Sequence, residues 1–342
     1  MKLSALICAA MLLMPAVQAA DTLDMYVLDT EGGKAEIIRT PSGQAVLIDA
    51  GFPSANRRDL QRILAVAKEI GITSFDYLIV SHFDVDHVGN VPALAAEIPV
   101  KTFVDHGTLS PDPKMNPVNT RAAEAYFAFV QGKKRIIVKR GDKIPLRDVD
   151  VTVLTSNGKA IGVPPKGAGA GAGKPNPACP AEPREELMND DNSGSVGELW
   201  KFGNFRMADF GDLLKWVENR LVCPTNNVGK VDLFMVNHHG VNLSNSPELV
   251  AALAPKAAIM NNGARKGNAV DTVTTLRNAV SKPDVWQVHF SIGIPAELNP
   301  PEDFIANLSA ANDEAKMIKV SASKDGSFTI TNTRNGFTKT YK

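Results

Sequence analysis

The sequence predicts an α/β protein in which two β-sheets pack face to face with helices on their outer sides. Each half of the chain alternates short strands with helices, and a stretch rich in glycine, alanine and proline separates the halves. In each half, a strand of apolar residues runs directly into polar side chains. The 342 residues are 44% hydrophobic and 22% charged, a composition that can bury a large core.

The elements of the first half follow from alternation and helical spacing. Residues 22–51 predict three short strands with glycine-containing turns between them. Within 56–72, apolar residues recur at helical spacing from Leu60 to Ile70, which predicts a helix that ends at Gly71. The next predicted elements are a strand at 75–80, a polar loop at 81–90, a short helix at 90–99, a strand at 100–107, a helix at 119–132 and at least two strands at 134–156.

Residues 158–183 interrupt this pattern. Glycine, alanine and proline dominate the segment, which predicts a flexible insertion rather than a packed element. A linker between domains is the alternative, but a long loop is favoured, so residues 20–342 are predicted to form a single domain. The later elements are two strands within 195–212, a strand within 230–240, a helix at 246–255, a strand at 256–263, a helix at 271–281 and strands within 317–341.

The N-terminal segment has the pattern of a secretory signal peptide. Lys2 precedes an apolar run from Leu3 to Met14, and the small residues Val17 and Ala19 predict cleavage after Ala19. The apolar run is short for a permanent membrane anchor, although a retained, uncleaved segment is the alternative. The mature protein is therefore expected to be periplasmic or secreted.

Charge and cysteine content add two expectations. The chain carries 37 basic and 37 acidic residues, so net charge supports neither nucleic-acid nor membrane binding. A basic run at 132–140 is best explained as a solvated strand edge. Cys8 would be removed with the signal peptide, which leaves Cys179 and Cys223 in an oxidising compartment. Either a disulfide or a free pair fits, because sequence does not give their separation.

The most informative stretch is SHFDVDHVGN, residues 81–90. It places His82, Asp84, Asp86 and His87 directly after a predicted core strand. Histidine nitrogens and carboxylate oxygens are suitable ligands for zinc and similar ions. Further candidates follow later strands, and these are Asp212 in ADFGD and the pair His238 and His239 in VNHHG.

This set of motifs resembles the metallo-β-lactamase superfamily. The usual signature there is His-x-His-x-Asp-His, and here Asp84 stands where the second histidine usually stands. With HHG downstream, the chain looks like the hydrolase domain of the DNA-uptake channel proteins of natural competence and like the phosphocholine esterases. VLIDAG matches the early strand end of the family, with Asp49 as the expected support for the ligands. The resemblance implies a four-layer αββα sandwich with the site at one edge.

The resemblance also implies a ligand set for two divalent ions, zinc in the first place and manganese as an alternative. His82 and Asp84 would bind the first ion, and Asp86, His87 and His239 would bind the second. Asp212 would bridge the two. His238 would contact the substrate or its oxyanion, and the opposite assignment of His238 and His239 stays open.

The first ion lacks an obvious third protein ligand. The position that family members fill with a histidine reads NDDNSG here, so Asp190, Asp191 or Asn192 would have to replace it. His106 is a further candidate. A site with one metal ion is therefore an alternative.

The implied activity is metal-assisted hydrolysis, in which a metal-bound hydroxide attacks a phosphoester and Asp86 orients it or accepts its proton. The substrate would be a small molecule or a phosphoester. Hydrolysis of a lactone or β-lactam is the alternative activity, and a metal-binding module without turnover is the alternative class.

Overall fold

Among the described residues, two nine-stranded β-sheets form the centre of the molecule. The computed structural model describes residues 21–109, 116–185, 190–311 and 314–342. The first sheet contains β1 (Leu23–Val27), β2 (Glu36–Arg39), β3 (Ala45–Ile48), β4 (Tyr77–Ile79), β5 (Phe103–Asp105), β6 (Arg135–Ile137), β16 (Ile318–Ala322), β17 (Phe328–Asn332) and β18 (Thr338–Tyr341). The second contains β7 (Lys143–Ile144), β8 (Asp150–Ser156), β9 (Lys159–Ala160), β10 (Gly197–Phe202), β11 (Phe205–Asp209), β12 (Leu233–Met235), β13 (Ala257–Met260), β14 (Asp284–His289) and β15 (Ile305–Asn307).

Helices cover the outer face of each sheet. In chain order they are α1 (Arg58–Glu69), α2 (Val85–Val88), α3 (Val91–Glu97), α4 (Pro117–Val130), α5 (Lys215–Val222), α6 (Pro247–Leu253) and α7 (Val270–Asn278). One buried cluster joins the facing sides of the two sheets, and it includes Ile38, Trp200 and Trp286. A second packs α1, α3 and α4 on the first sheet, and a third packs α5, α6 and α7 on the second. The predicted αββα sandwich is thus confirmed.

The direction of the strands decides where polar side chains meet. Strands β3, β4, β5 and β6 are mutually parallel neighbours, as are β11 to β15. Carboxyl ends of parallel strands lie at one edge of a sheet, where ligands bind in open α/β sheets. The segments after β4, β11, β12 and β13 therefore converge at one edge of the sandwich.

A buried cluster of charged side chains lies between the two sheets, and nothing in the sequence pattern signals it. Lys34 and Glu36 come from the first sheet, and Glu198 and Asp209 come from the second. Lys34 Nζ donates to Asp209 and lies 3.6 Å from Glu36 Oε1. Burial, together with the negative charge of Asp209, raises the pKa values of Glu36 and Glu198 well above the ordinary range. These four residues are called the inter-sheet cluster below.

The insertion at 158–183 is more closely packed than the sequence predicts. Its first residues form β9, which pairs with β8. The amide of Gly169 donates to the carbonyl of Val228 at 3.0 Å. A Cβ at Gly169 would lie 1.9 Å from the carbonyl oxygen of Lys230, so glycine is needed for this approach of two backbones. The prediction that the segment is not a packed element is wrong, and its flexibility stays a prediction.

A disulfide joins the insertion to the end of α5. Cys179 and Cys223 are bonded, with their Cα atoms 5.8 Å apart, which confirms the disulfide hypothesis. Near the end of the insertion, Arg184 donates to both carboxylate oxygens of Glu248 in α6. The insertion is therefore attached to the second sheet's helical layer at two points.

Two further predictions have different outcomes. The loop predicted at 81–90 contains a one-turn helix, α2, because the amides of His87 and Val88 both bond to the carbonyl of Asp84. Residues 1–19, with the predicted cleavage site and Cys8, lie outside the described residues. Within the described ranges, no helix combines the length and apolar character needed to cross a membrane.

Candidate metal centre

Four predicted ligands come together at the converging strand ends. Asp86 and His87 lie in α2, Asp212 follows β11 and His239 follows β12, and all four are buried. One ligand atom from each lies within 4.8 Å of the others. His239 Nε2 is 3.2 Å from Asp86 Oδ2 and 3.3 Å from Asp212 Oδ2, and His87 Nε2 is 3.3 Å from Asp212 Oδ2. Ligand atoms about 2.1 Å from a tetrahedral ion lie about 3.4 Å apart, so these spacings fit a divalent cation.

His82 and Asp84 form the other half of the same centre, where the distances between ligand atoms are longer. His82 Nε2 is 3.8 Å from Asp84 Oδ2 and 3.9 Å from Asp212 Oδ2. Asp212 thus faces both halves, which is the position that a bridging ligand needs. The structure places all six predicted ligands around one point, and their individual roles stay predictions.

Unpartnered polar atoms give a direct test of whether a metal fits. His82 Nε2 and Asp212 Oδ1 are buried and make no hydrogen bond to any described residue. A buried polar atom without a partner costs about 1–3 kcal/mol. A divalent cation would satisfy both atoms, so the residues present fit such an ion.

Among the candidates for the third ligand of the first ion, Asp191 has the most suitable surroundings. It is fully buried, its Oδ2 accepts the amide of Phe83 at 2.7 Å, and its charge acts on both His82 and Asp84. Asp190 instead accepts from the backbone and side-chain amides of Asn192, as a helix-capping residue does. The Asp191 assignment remains a prediction.

His106 lies on the far side of Asp191. Its Nε2 is 3.5 Å from Asp191 Oδ2, and its ring packs on Phe83 with the centroids 4.4 Å apart. This position makes His106 a neighbour of the predicted ligand Asp191.

A buried carboxylate orients the histidine ligands, as the sequence predicts for Asp49. Asp49 Oδ2 bonds to His87 Nδ1 at 2.8 Å and accepts from Ser81 Oγ at 2.7 Å. Ser81 Oγ is also 3.0 Å from His82 Nδ1. Because one nitrogen of each ring is held by this network, the Nε2 atoms of His82 and His87 face the centre.

The two adjacent histidines after β12 differ in burial and direction. Both have left-handed backbone angles, with φ of 54° at each, a strained conformation that persists mainly at functional sites. His239 is fully buried, and its Nδ1 contacts the carbonyl of Asn261 at 3.2 Å, so its Nε2 faces the centre. His238 is partly exposed, with Nε2 at 3.5 Å from Asp212 Oδ2 and Nδ1 at 3.3 Å from Ser244 Oγ. The geometry favours His239 as the ligand, as predicted.

Lys266 is a site residue that the sequence analysis missed. It lies in the loop after β13, and its Nζ donates to Asp86 Oδ2 at the mouth of the centre. The ammonium also lies over the ring of Phe52, 5.3 Å from the ring centroid. The sequence did hold a signal for Lys266, because it lies in the stretch NNGARKGN at the end of a predicted strand of the second half. The ends of such strands reach the edge of the sandwich where the centre lies.

Within the protein itself, the carboxylates at the centre are paired with cationic side chains. Burial by itself would raise the pKa values of Asp86 and Asp212, but the charges of His87 and Lys266 outweigh it at Asp86 and those of His239 and His87 outweigh it at Asp212, so both pKa values lie well below the ordinary range. Burial and the charge of Asp86 raise the pKa of Asp84 to about 8, and burial lowers the pKa of His82 to about 3. A divalent cation would be the largest local charge here and would favour ionised carboxylates and neutral imidazoles.

The fold and the centre resemble those of a known class of proteins. Residues 35–166 match the family described as the metallo-beta-lactamase superfamily. The match covers 132 of the 342 residues, and over this part the chain is similar to that superfamily.

One curated relative shares limited sequence identity with the chain. The chain is 27% identical over 273 residues to ComE operon protein 3 of Bacillus subtilis (strain 168), and the match covers 75% of this chain. It spans only 30% of the length of that relative.

Solved structures resemble the chain at low identity. CmlA, a diiron beta-hydroxylase from Streptomyces venezuelae, has a TM-score of 0.37 at 15% identity, covering 69% of this chain and 44% of that one. A diphosphatase from the PhnP family has a TM-score of 0.38 at 12% identity, covering 77% and 94%. A metallo-beta-lactamase from Cronobacter sakazakii has a TM-score of 0.36 at 14% identity, covering 61% and 75%. The superfamily and the buried His/Asp cluster together identify the chain as a metal-dependent hydrolase.

Proposed function

We propose that this protein is an exported hydrolase of phosphoesters, with phosphodiesters as the preferred class and two divalent ions in its centre. Zinc is the first choice of metal because histidine and carboxylate ligands are combined, and manganese is the second. The observation that carries the choice of substrate is the ammonium of Lys266 at the mouth of a centre rich in carboxylates. A cationic side chain at this position favours a substrate that is itself an anion.

The ligand set also supports this substrate class. Asp84, Asp86 and Asp212 provide three carboxylates against three histidine rings, a share of oxygen ligands that suits ions acting on phosphoryl oxygen. Divalent ions bound here would supply an ionised water at neutral pH and would stabilise charge that develops on the substrate oxygens.

The residues of this chain would perform three tasks. Asp86 would orient the attacking water and accept its proton, since its carboxylate lies at the centre beside His239. His238 would donate from Nε2 to an oxygen of the substrate, because the hydroxyl of Ser244 can donate to Nδ1 and leave the hydrogen on Nε2. Burial lowers the pKa of His238 to about 4, so its ring is neutral at pH 7 and donates as an imidazole. Lys266 would hold a non-reacting oxygen of the substrate.

Export is supported by the Cys179–Cys223 disulfide. Such bonds form and persist in oxidising compartments and are rare in the cytosol. Together with the signal pattern at residues 1–19, the disulfide favours a periplasmic or secreted protein.

The test is a panel of three substrates with purified mature protein, residues 20–342, loaded with zinc or manganese. The panel contains bis(p-nitrophenyl) phosphate, a six-membered lactone and a chromogenic cephalosporin. We expect turnover of the phosphodiester only, and loss of at least about a hundredfold in kcat with Asp86→Ala. Glu69→Ala, which removes an exposed carboxylate at the end of α1, is the matched control and should keep wild-type activity.

Other outcomes would change the proposal in defined ways. If the protein turns over the lactone or the cephalosporin but not the phosphodiester, acyl hydrolysis replaces phosphoester hydrolysis as the proposed activity. If fully loaded protein turns over none of the three, the phosphoesterase proposal fails and a metal-binding module without turnover gains support.

A further inference from the structure

A cavity opens beside the metal centre, at the ends of the next two strands of the first sheet. β4, β5 and β6 are parallel neighbours, with Leu78 paired to Phe103 and Phe103 paired to Arg135, so their carboxyl ends are level. His82 follows β4, whereas Lys139 and Arg140 follow β6. Neighbouring strands lie about 4.8 Å apart, which puts the end of β6 about 10 Å from the end of β4.

The cavity has a volume of about 510 Å³. That size is within the range of pockets that bind small molecules. The residues that matter for its chemistry are His106, Thr108, Lys139, Arg140, Asn157 and Lys159. His106 was a candidate for the third ligand of the first ion, and the other five residues are outside the predicted ligand set.

Three of these side chains are cations. Lys139, Arg140 and Lys159 are exposed, and no ion pair joins any of them to an acidic side chain of the described residues. Arg140 donates to the carbonyl of Ala160 at 2.7 Å, which fixes its guanidinium at the cavity wall.

The nearby carboxylates do not cancel this charge. Asp105 is occupied by Arg135, which donates two bonds of 2.7 Å to it. Asp142 is exposed and accepts the backbone amide of Lys139 at 2.9 Å. The cavity is therefore positive on balance.

Besides the three cations, the cavity is lined by the buried ring of His106, which lies between the cavity and the metal centre. It is 3% exposed, and neither ring nitrogen has a hydrogen-bond partner among the described residues. Leaving buried polar atoms without a partner is costly, and a ligand in the cavity can supply one. On its other side, His106 Nε2 lies 3.5 Å from Asp191 Oδ2.

We propose that this cavity binds a second phosphate group of the substrate, while the reacting phosphodiester lies at the metal centre. The inference rests on the proposed function and narrows its substrate class. The substrate would carry two phosphate groups about 10 Å apart, one at the metal centre and one in the cavity. Lys139, Arg140 and Lys159 provide the charge, and His106 provides a hydrogen-bonding group. A substrate with one phosphate would occupy the centre alone.

The experiment measures binding separately from turnover. The probe is a tetrathymidylate with phosphorothioate linkages and a 3′ fluorescein, titrated with the metal-loaded mature protein and followed by fluorescence anisotropy. The variant Lys139→Gln/Arg140→Gln/Lys159→Gln should raise its Kd about tenfold, since each exposed charge pair contributes a factor of a few. The charge-matched control Lys68→Gln/Lys133→Gln/Lys134→Gln removes three exposed lysines that do not line the cavity and should change Kd less than twofold.

Turnover provides the second measurement. The ratio of kcat/KM for unmodified tetrathymidylate to that for bis(p-nitrophenyl) phosphate should fall about tenfold in the cavity variant and stay constant in the control. Absence of probe binding by the wild-type protein, equal binding by the cavity variant, or an unchanged ratio would overturn the inference. A wild-type protein that binds the probe through the cavity but hydrolyses neither substrate would instead reject the proposed phosphoesterase.

Discussion

The metal centre and the inter-sheet cluster are both buried groups of acidic side chains, and they handle charge in different ways. In the inter-sheet cluster, Lys34 donates to Asp209, and burial together with the charge of Asp209 raises the pKa values of Glu36 and Glu198, which favours their protonated forms. That cluster therefore balances its charge with a lysine and with protons on its own carboxyl groups.

The metal centre balances its charge with groups that contact the ligands themselves. Asp86 and Asp212 keep pKa values well below the ordinary range and stay ionised, and their charges raise the pKa of His87 despite its burial. Lys266 contacts Asp86 at the mouth and is 38% exposed. His82 Nε2 and Asp212 Oδ1 lack a hydrogen-bond partner among the described residues, as do both carboxylate oxygens of Glu36 in the inter-sheet cluster. Unpartnered atoms are therefore common to both clusters, and the metal centre is distinguished by histidine nitrogens that face ionised carboxylates, a ligand combination that suits zinc.

The strongest test of this contrast is Asp212→Ala, which removes the carboxylate that faces both halves of the centre. We expect the metal content to fall from about two ions per chain and phosphodiesterase activity to fall about a thousandfold or more, since several kcal/mol of stabilisation would be lost. Elemental mass spectrometry on protein purified without chelators measures the metal. Full metal content in this variant would contradict the bridging role, and one ion per wild-type chain would indicate a mononuclear site.

The matching test in the inter-sheet cluster is Lys34→Met. It leaves Asp209 as a buried charge without its cation and should lower the free energy of unfolding by about 3–5 kcal/mol, with metal content unchanged. Urea unfolding at fixed metal concentration measures the effect. Loss of metal without loss of stability would show that the two clusters are not independent.

Glu36→Gln is the control for that cluster. It replaces a carboxyl whose pKa is raised by burial with an amide of the same shape, and it should cost less than about 1 kcal/mol. Because the folded-state pKa of Glu36 is raised, its contribution to stability is complete below the unfolded pKa and is lost as pH rises through the folded pKa. The variant should therefore gain stability relative to wild type as pH rises.

An intermediate effect is expected from Asp49→Asn, which keeps the shape of the group that orients His87 but removes its charge. Metal affinity should fall about 10- to 100-fold, as is typical for partners of histidine ligands. Competition with a chromogenic chelator measures the affinity. Asp76→Asn, a carboxylate paired with Lys101 at the surface, serves as the control and should bind metal as wild type does.

The smallest effect should come from Lys266→Gln at the mouth of the centre. If Lys266 holds the anionic substrate, KM for bis(p-nitrophenyl) phosphate should rise about three- to tenfold while kcat changes little. Arg265→Gln, its exposed neighbour, should leave both constants unchanged. A fall in kcat at constant KM would assign Lys266 to the chemical step instead of to binding.

The sequence by itself determined the fold class and most of the candidate site. Alternation in 22–51 and helical spacing in 60–70 predict β1 to β3 and α1, because side-chain periodicity reports which face of an element is buried. The cluster at 82–87 and the residues Asp212 and His239 were predicted from residue types that follow apolar strands. Local patterns suffice for these features since every ligand lies just after the end of an apolar strand, four of them after β4.

Only the tertiary structure decided which of these groups meet. It brought Lys266 to Asp86 across 180 residues, bonded Asp191 to the amide of Phe83 beside His82, and joined Cys179 to Cys223. It also paired Lys34 with Asp209 and collected His106, Lys139 and Lys159 around one cavity. These contacts depend on strand order and on the packing of two sheets, and neither leaves a periodic signal in the chain.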